Sequence, residues 1–379
     1  MKRIILIFII LISVNSNFLN AQDTLIFKGQ LSSWINYNSE NDLSVWSGGR
    51  YISQLNYSLS AKNNQLLDFE VSANLFGSIG SNLSDSVYTD GQIKPYRAWA
   101  RYSGKQFEIR AGLQKINFGS AVMLRPLMWF DEMDARDPLT LTDGVWGILG
   151  RYYFLNNANI WLWALYGNEQ PRGWEFAQRN KNYPEFGGRL QFSFAQSEIG
   201  LTYHHQNIDT RLIDEAVMQL DNVAENKMGF DIKIDWHIGL WFEGVWSARN
   251  ADLGRLKNQE MMTLGMDYTF GIGNGLYFVG EHLVAANDEK AFEFKQSINF
   301  TAASLSYPVG LFDNVNAIFY YDWANSSVYN FVNWQKQFNK ISIYLMAYWN
   351  PENSLLPTQS STTNLYGGKG IQIMLIFNH

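Results

Sequence analysis

The 379-residue sequence contains no cysteine. This excludes a disulfide scaffold, a lipid anchor through cysteine, thiolate zinc sites and a cysteine nucleophile. Proline is scarce, at 8 residues. After residue 21 there is no long apolar run, and the mean hydropathy is −0.20. A spanning helix needs about 20 apolar residues, so a helical membrane protein is excluded. Positive charge is not in excess: 29 Lys and Arg face 35 Asp and Glu, for a formal net charge of −6. Such a chain has no global attraction for nucleic acid. No G-x-S-x-G elbow, H-E-x-x-H helix or P-loop occurs. Internal repeats, low-complexity tracts and interdomain linkers are also missing.

The chain opens on Met1, Lys2 and Arg3, runs apolar from Ile4 to Ile12, and reaches Asn20, Ala21 and Gln22 through a polar stretch. A basic start, a short apolar stretch and a small residue mark a secretory signal peptide cleaved after Ala21. The expected division is a signal peptide over 1–21 and one domain over 22–379. Losing Lys2 and Arg3 takes the net charge from −6 to −8. Aromatics are plentiful, at 14 Trp, 20 Tyr and 25 Phe. Export, aromatic richness and modest hydropathy point to a transmembrane β-barrel of a Gram-negative outer membrane, where half of each strand meets lipid.

The dominant period is two. Met228, Phe230, Ile232, Ile234 and Trp236 share one face; Gly229, Asp231, Lys233 and Asp235 share the other. The same alternation covers Leu67–Leu75, Phe107–Leu113 and Met262–Phe270. Strands are expected at 24–38, 49–60, 65–78, 93–102, 105–113, 143–154, 158–167, 184–195, 198–206, 224–235, 238–249, 258–270, 274–286, 296–307, 311–323, 327–334, 338–349 and 369–378. The fold class is therefore all-β: an antiparallel up-and-down transmembrane barrel of about 18 strands, with 16 as the alternative. Short connections follow the even-numbered strands. Those after odd-numbered strands are long (39–48, 79–92 and 114–142 among them), except near 324–326. A barrel with short periplasmic turns and long extracellular loops alternates in this way. Trp34, Trp99, Trp146, Trp161, Trp236, Trp246, Trp323 and Trp349 fall near strand ends, where an aromatic girdle is expected.

Charges on the polar face belong in the lumen, because Arg or Lys on the lipid face near the midplane costs about 2–4 kcal/mol. Arg97, Arg101, Arg110, Arg151 and Arg189 make one wall basic; Asp231, Asp235, Glu243, Asp267 and Glu281 make the other mainly acidic. The third loop, 114–142, carries Val122, Met123, Leu124, Leu127, Met128, Trp129 and Phe130 and is too apolar to lie in water. Folding into the barrel mouth would cover it and bring Asp131, Glu132, Asp134 and Asp137 toward the arginines. An acidic loop facing a basic wall would set up a constriction selective for charge. No cofactor or metal is expected.

An in-folded third loop facing an arginine ladder resembles general bacterial porins. Gly112-Leu113-Gln114-Lys115-Ile116-Asn117-Phe118-Gly119, leading into that loop, resembles the alginate-export type of porin. That resemblance implies an eighteen-stranded barrel passing an acidic polysaccharide through an electropositive constriction. Lys369-Gly370, Ile373 and Leu375 resemble the C-terminal signal read by barrel-assembly machinery. The expected function is a porin for small hydrophilic or charged solutes. Its expected partners are the lipid bilayer, lipopolysaccharide and the assembly machinery. Two other readings stay open: a plugged barrel serving as a binding platform, and an outer-membrane hydrolase using His282 (the only histidine with a mild case).

Overall fold

The computed structural model describes residues 24–61, 65–82, 86–213, 218–352 and 365–379, leaving the expected signal peptide outside the described residues. Eighteen long strands form one closed antiparallel sheet. They are β1 (Thr24–Asn38), β2 (Val45–Ala61), β3 (Gln65–Ser81), β4 (Val87–Ser103), β5 (Phe107–Gln114), β6 (Val145–Tyr153), β7 (Asn159–Leu165), β8 (Glu185–Phe194) and β9 (Ser197–Asp209). The second half comprises β10 (Val223–Asp235), β11 (Gly239–Arg249), β12 (Asn258–Phe270), β13 (Leu276–Asp288), β14 (Ser297–Pro308), β15 (Asp313–Asp322), β16 (Ser327–Gln337), β17 (Ile341–Trp349) and β18 (Lys369–Asn378). A two-residue bridge at Gln178–Arg179 pairs with the end of β9. Each strand pairs with its neighbours in sequence, and β1 closes on β18 from Gln30↔Asn378 to Asn38↔Gly370. Closure leaves no free edge around most of the wall, as a backbone in lipid requires. Among the described residues no helix is long and apolar enough to cross a membrane.

Alternation decides which side chains face out. In β10, Met228 and Phe230 are exposed while Lys227, Gly229 and Asp231 are buried. The outer surface carries Ile93, Leu162, Leu264 and Ile373, all more than half exposed. That is the face a bilayer would cover.

Two expectations need correction. The segment 79–92 is mostly strand rather than loop, since β3 runs to Ser81 and β4 starts at Val87. Its glycines and polar residues on both faces hide the alternation, because this part of the hairpin lacks a purely apolar face. The tryptophans also divide. Trp146, Trp236, Trp323 and Trp349 are exposed, but Trp34 is buried against Phe76, and Trp99 and Trp161 lie under lumen arginines. Trp99 shares its strand face with Arg97 and Arg101, so the period of two places it inside.

The wall has a notch beside β4. β5 meets β4 only from Ala98↔Leu113 to Ser103↔Glu108, so Val87–Arg97 has a partner on one side alone. Pro95 sits in this edge stretch, where a missing N–H costs no ladder bond. A bulge at Tyr96 shifts the register between Ser72 and Ala73 and re-aims Arg97. The chain turns into the barrel beside this notch.

Candidate functional site

The connection from β5 to β6, residues 115–144 and here called loop 3, lies across the lumen. Phe118, Leu124, Leu127, Met128, Trp129 and Phe130 are all buried; Val122 stays exposed. Phe118 stacks on Trp163 at 6.0 Å, and Phe130 meets Trp163 and His204 edge-on at 5.4 and 4.9 Å. Burying each large side chain contributes about 1.5–3 kcal/mol.

Polar contacts fix where the loop sits. Backbone N–H groups of Val122, Met123 and Leu124 donate to the Glu281 carboxylate at 2.6, 2.8 and 2.6 Å. The Trp241 indole donates to the same carboxylate at 3.1 Å. Glu243 accepts from Ala121 N–H at 2.7 Å and Leu127 N–H at 3.4 Å, while the Thr263 hydroxyl donates to the Leu124 carbonyl at 2.7 Å. These partners stand on β11, β12 and β13, far along the wall from β5. Gly119 has φ +95°, and a Cβ there would come within 2.3 Å of Glu243 Oε1. Only glycine fits that turn. The sequence marked Glu243 and Glu281 as lumen charges but not as ligands of the loop, because a contact across more than 100 residues leaves no local pattern.

Four of the five predicted arginines cluster on β4–β6. Arg101 binds Asp68 at 2.6 Å and approaches Glu108 at 3.6 Å. Arg110 lies 3.6 Å and Arg151 3.0 Å from Glu108, so three guanidiniums share one carboxylate. Arg110 lies over Trp99 and Arg151 over Trp161. Arg97 donates to the carbonyls of Tyr96 at 2.5 Å and Thr142 at 2.9 Å, and stacks 3.9 Å over the Tyr96 ring. Arg189 is different. It is shut beneath Phe118 in a bidentate pair with Asp231, at 2.5 and 2.8 Å, and does not face open lumen. Removing one partner from such a buried pair costs about 3–5 kcal/mol.

The loop acids also depart from expectation. Asp131 is buried against Arg125 at 3.0 Å, Glu132 faces Arg172 at 3.5 Å, and Asp134 binds Arg136 at 2.5 Å. The Asp137 carboxylate accepts the N–H groups of Leu139 and Leu141. Their partners are thus arginines and amides of the long loops, not the arginines of β4–β6. Burial pushes the carboxyls of Asp131, Glu132 and Asp137 up. Burial acts the same way on Asp134, but the Arg136 guanidinium beside it holds it below the usual carboxylate range. Loop and wall meet at Lys94–Asp143, 2.5 Å apart.

A second ionic cluster, which sequence reasoning missed, braces loop 3 from behind. Glu175 binds Arg179 at 2.9 Å and contacts Lys227; Arg179 reaches Glu185 at 3.1 Å; Arg249 pairs with Glu225 at 2.6 Å. Arg179 also donates to the Trp129 carbonyl at 2.5 Å. Desolvation opposes the Glu175 charge, yet Arg179 and Lys227 hold its carboxyl well below the usual range. The spacing of Glu175 and Arg179 was the available signal. His282 lies at the exposed surface with Nδ1 2.9 Å from the Thr301 hydroxyl. No group of three or more metal-ligating side chains occurs among the described residues.

No protein-family model matches the chain, and no curated protein matches it in sequence. Solved structures do match in fold. OccAB4 of Acinetobacter baumannii superposes with TM-score 0.55 at 11% identity, over 96% of this chain and all of that one. OpdQ of Pseudomonas aeruginosa gives 0.55 at 9% identity, over 94% and 98%. An anion-selective porin from Comamonas acidovorans gives 0.50 at 9% identity, over 94% and 100%. At such identities the likeness establishes the porin-type barrel fold.

Proposed function

We propose that this chain is an outer-membrane porin, passing small hydrophilic solutes through a lumen narrowed by loop 3. The observation that carries this reading is the seating of loop 3 on Glu243 and Glu281, across the lumen from a wall of closely spaced arginines. A plug would not need that wall. Arg97, Arg101, Arg110 and Arg151 supply the basic side; Glu132 and Asp137 supply the acidic side, and Asp134 is neutralised by Arg136. Arg189 and Asp131, both buried in pairs, support the frame. With three arginines sharing Glu108, the β4–β6 wall keeps excess positive charge, and local fields of this kind favour anions. Support for the membrane setting comes from the apolar outer face and the porin-type fold. The signal peptide over 1–21, assembly by the barrel machinery and contact with lipopolysaccharide belong to the same reading.

Reversal potentials in planar bilayers under a salt gradient test it. Arg101→Glu is expected to move selectivity toward cations. An unchanged reversal potential would remove Arg101 from the pore lining.

A further inference from the structure

The lumen has a second wall unlike the arginine wall. The inward faces of β14, β16, β17 and β18 carry no charged side chain. Instead a row of neutral polar groups crosses the sheet in register. Tyr277 pairs with Ser306, Ser306 with Asn316 and Asn316 with Asn333. After Met346 the row resumes at Gln372, which pairs with Asn36 of β1. The amides are tied side to side: Asn316 donates to Asn333 at 3.2 Å, Asn314 to Asn316 at 3.1 Å, and Asn36 to Gln372 at 3.2 Å. Each carboxamide has two N–H donors and two acceptor lone pairs, so these bonds orient it and leave capacity for a guest.

From Tyr277 to Asn333 the row borders a cavity of about 630 Å³ between loop 3 and β13–β17, while Met346, Gln372 and Asn36 continue it as buried groups outside that cavity. That volume lies inside the roughly 300–1,000 Å³ range of small-molecule sites. Asn316 is near the start of its strand, so the cavity lies toward the short-turn end of the barrel. Tyr277 and Tyr344 add ring faces to its lining. On the loop side Asp134 and Arg136 already neutralise each other. Arg125 of the lining is likewise paired with Asp131, and the Asp137 carboxylate is held by the N–H groups of Leu139 and Leu141. Asp137 aside, a lining of oriented amides, hydroxyls and phenols offers little to a lone ion. It suits a solute that presents many hydroxyls and apolar C–H faces and carries no charge.

We propose that this belt is a binding track for neutral polyhydroxylated solutes of short-oligosaccharide size, on the short-turn side of loop 3. The proposal rests on the porin reading and adds a solute class to it. The test is single-channel recording of the full chain with raffinose as the probe. Raffinose is expected to interrupt the ion current in a concentration-dependent way. The double variant Asn316→Ala with Asn333→Ala should raise the half-blocking concentration at least tenfold while conductance and ion selectivity stay unchanged. Gln335→Ala, a single change on the same wall, should raise it several-fold and serves if the double variant fails to fold. Arg101→Glu should alter selectivity and leave the raffinose block intact. A conducting channel that raffinose does not interrupt, or one whose block is lost in Arg101→Glu but kept in the belt variants, would overturn the proposal and leave the porin reading standing. A folded protein that never conducts would remove the porin reading and this one with it.

Discussion

At Glu281 one carboxylate takes four hydrogen bonds, three from consecutive loop N–H groups and one from the Trp241 indole. An ionised carboxylate has about four lone-pair sites, so its accepting capacity is filled. Glu281→Gln keeps the shape but turns one oxygen into a donor facing other donors. Bonds to charged groups contribute about 1.5–3 kcal/mol, so the loop seat should weaken by at least that much. We expect the variant barrel to fold, lose several degrees in Tm and conduct with a larger, noisier unit current. An unchanged Tm and unit current would mean that Glu281 does not hold the loop. The side of the sheet on which Glu281 lies was legible from alternation. What it binds was not, because its partners at 122–124 reach it only through the course of the loop.

Loop 3 was legible as an element that must be covered, because Leu124–Phe130 is too apolar for water. The partners of its acids were not legible. Asp134 takes Arg136 because its Oδ1 accepts the Arg136 N–H two residues on, a local turn that presets the ion pair. The strands beside it taught the opposite lesson: β3 and β4 extend where glycine and polar residues on both faces broke the apolar signal. Burial raises the carboxyls of Glu132 and Asp137, so both take up protons at a higher pH than exposed acids. Asp134 keeps its charge to lower pH, held by Arg136. As pH falls toward the ordinary carboxylate range, loop 3 should lose negative charge earlier than exposed acids do, while the arginines keep theirs. Anion selectivity should therefore rise over that fall in pH, read as a shift in reversal potential. A flat profile would place both carboxyls away from the ion path.

The whole molecule is a closed barrel with three kinds of inner wall. Arginines line β4–β6, carboxylates on β11 and β13 hold loop 3, and the inward faces of β14 and β16–β18 are uncharged. The strand count was readable because lipid and lumen impose a period of two on every strand, whereas the expected long connection after β3 is a short link between Ser81 and Val87. The inward turn of Trp34, Trp99 and Trp161 was masked by the expectation of a girdle, although parity alone assigns it. The central claim is that loop 3 narrows a conducting lumen. Planar-bilayer recording of the folded full chain beside a variant lacking 120–137 tests it most directly. The account predicts discrete channels in the parent and a severalfold larger unit conductance in the deletion. Silence from both proteins, each shown to be folded, would contradict it.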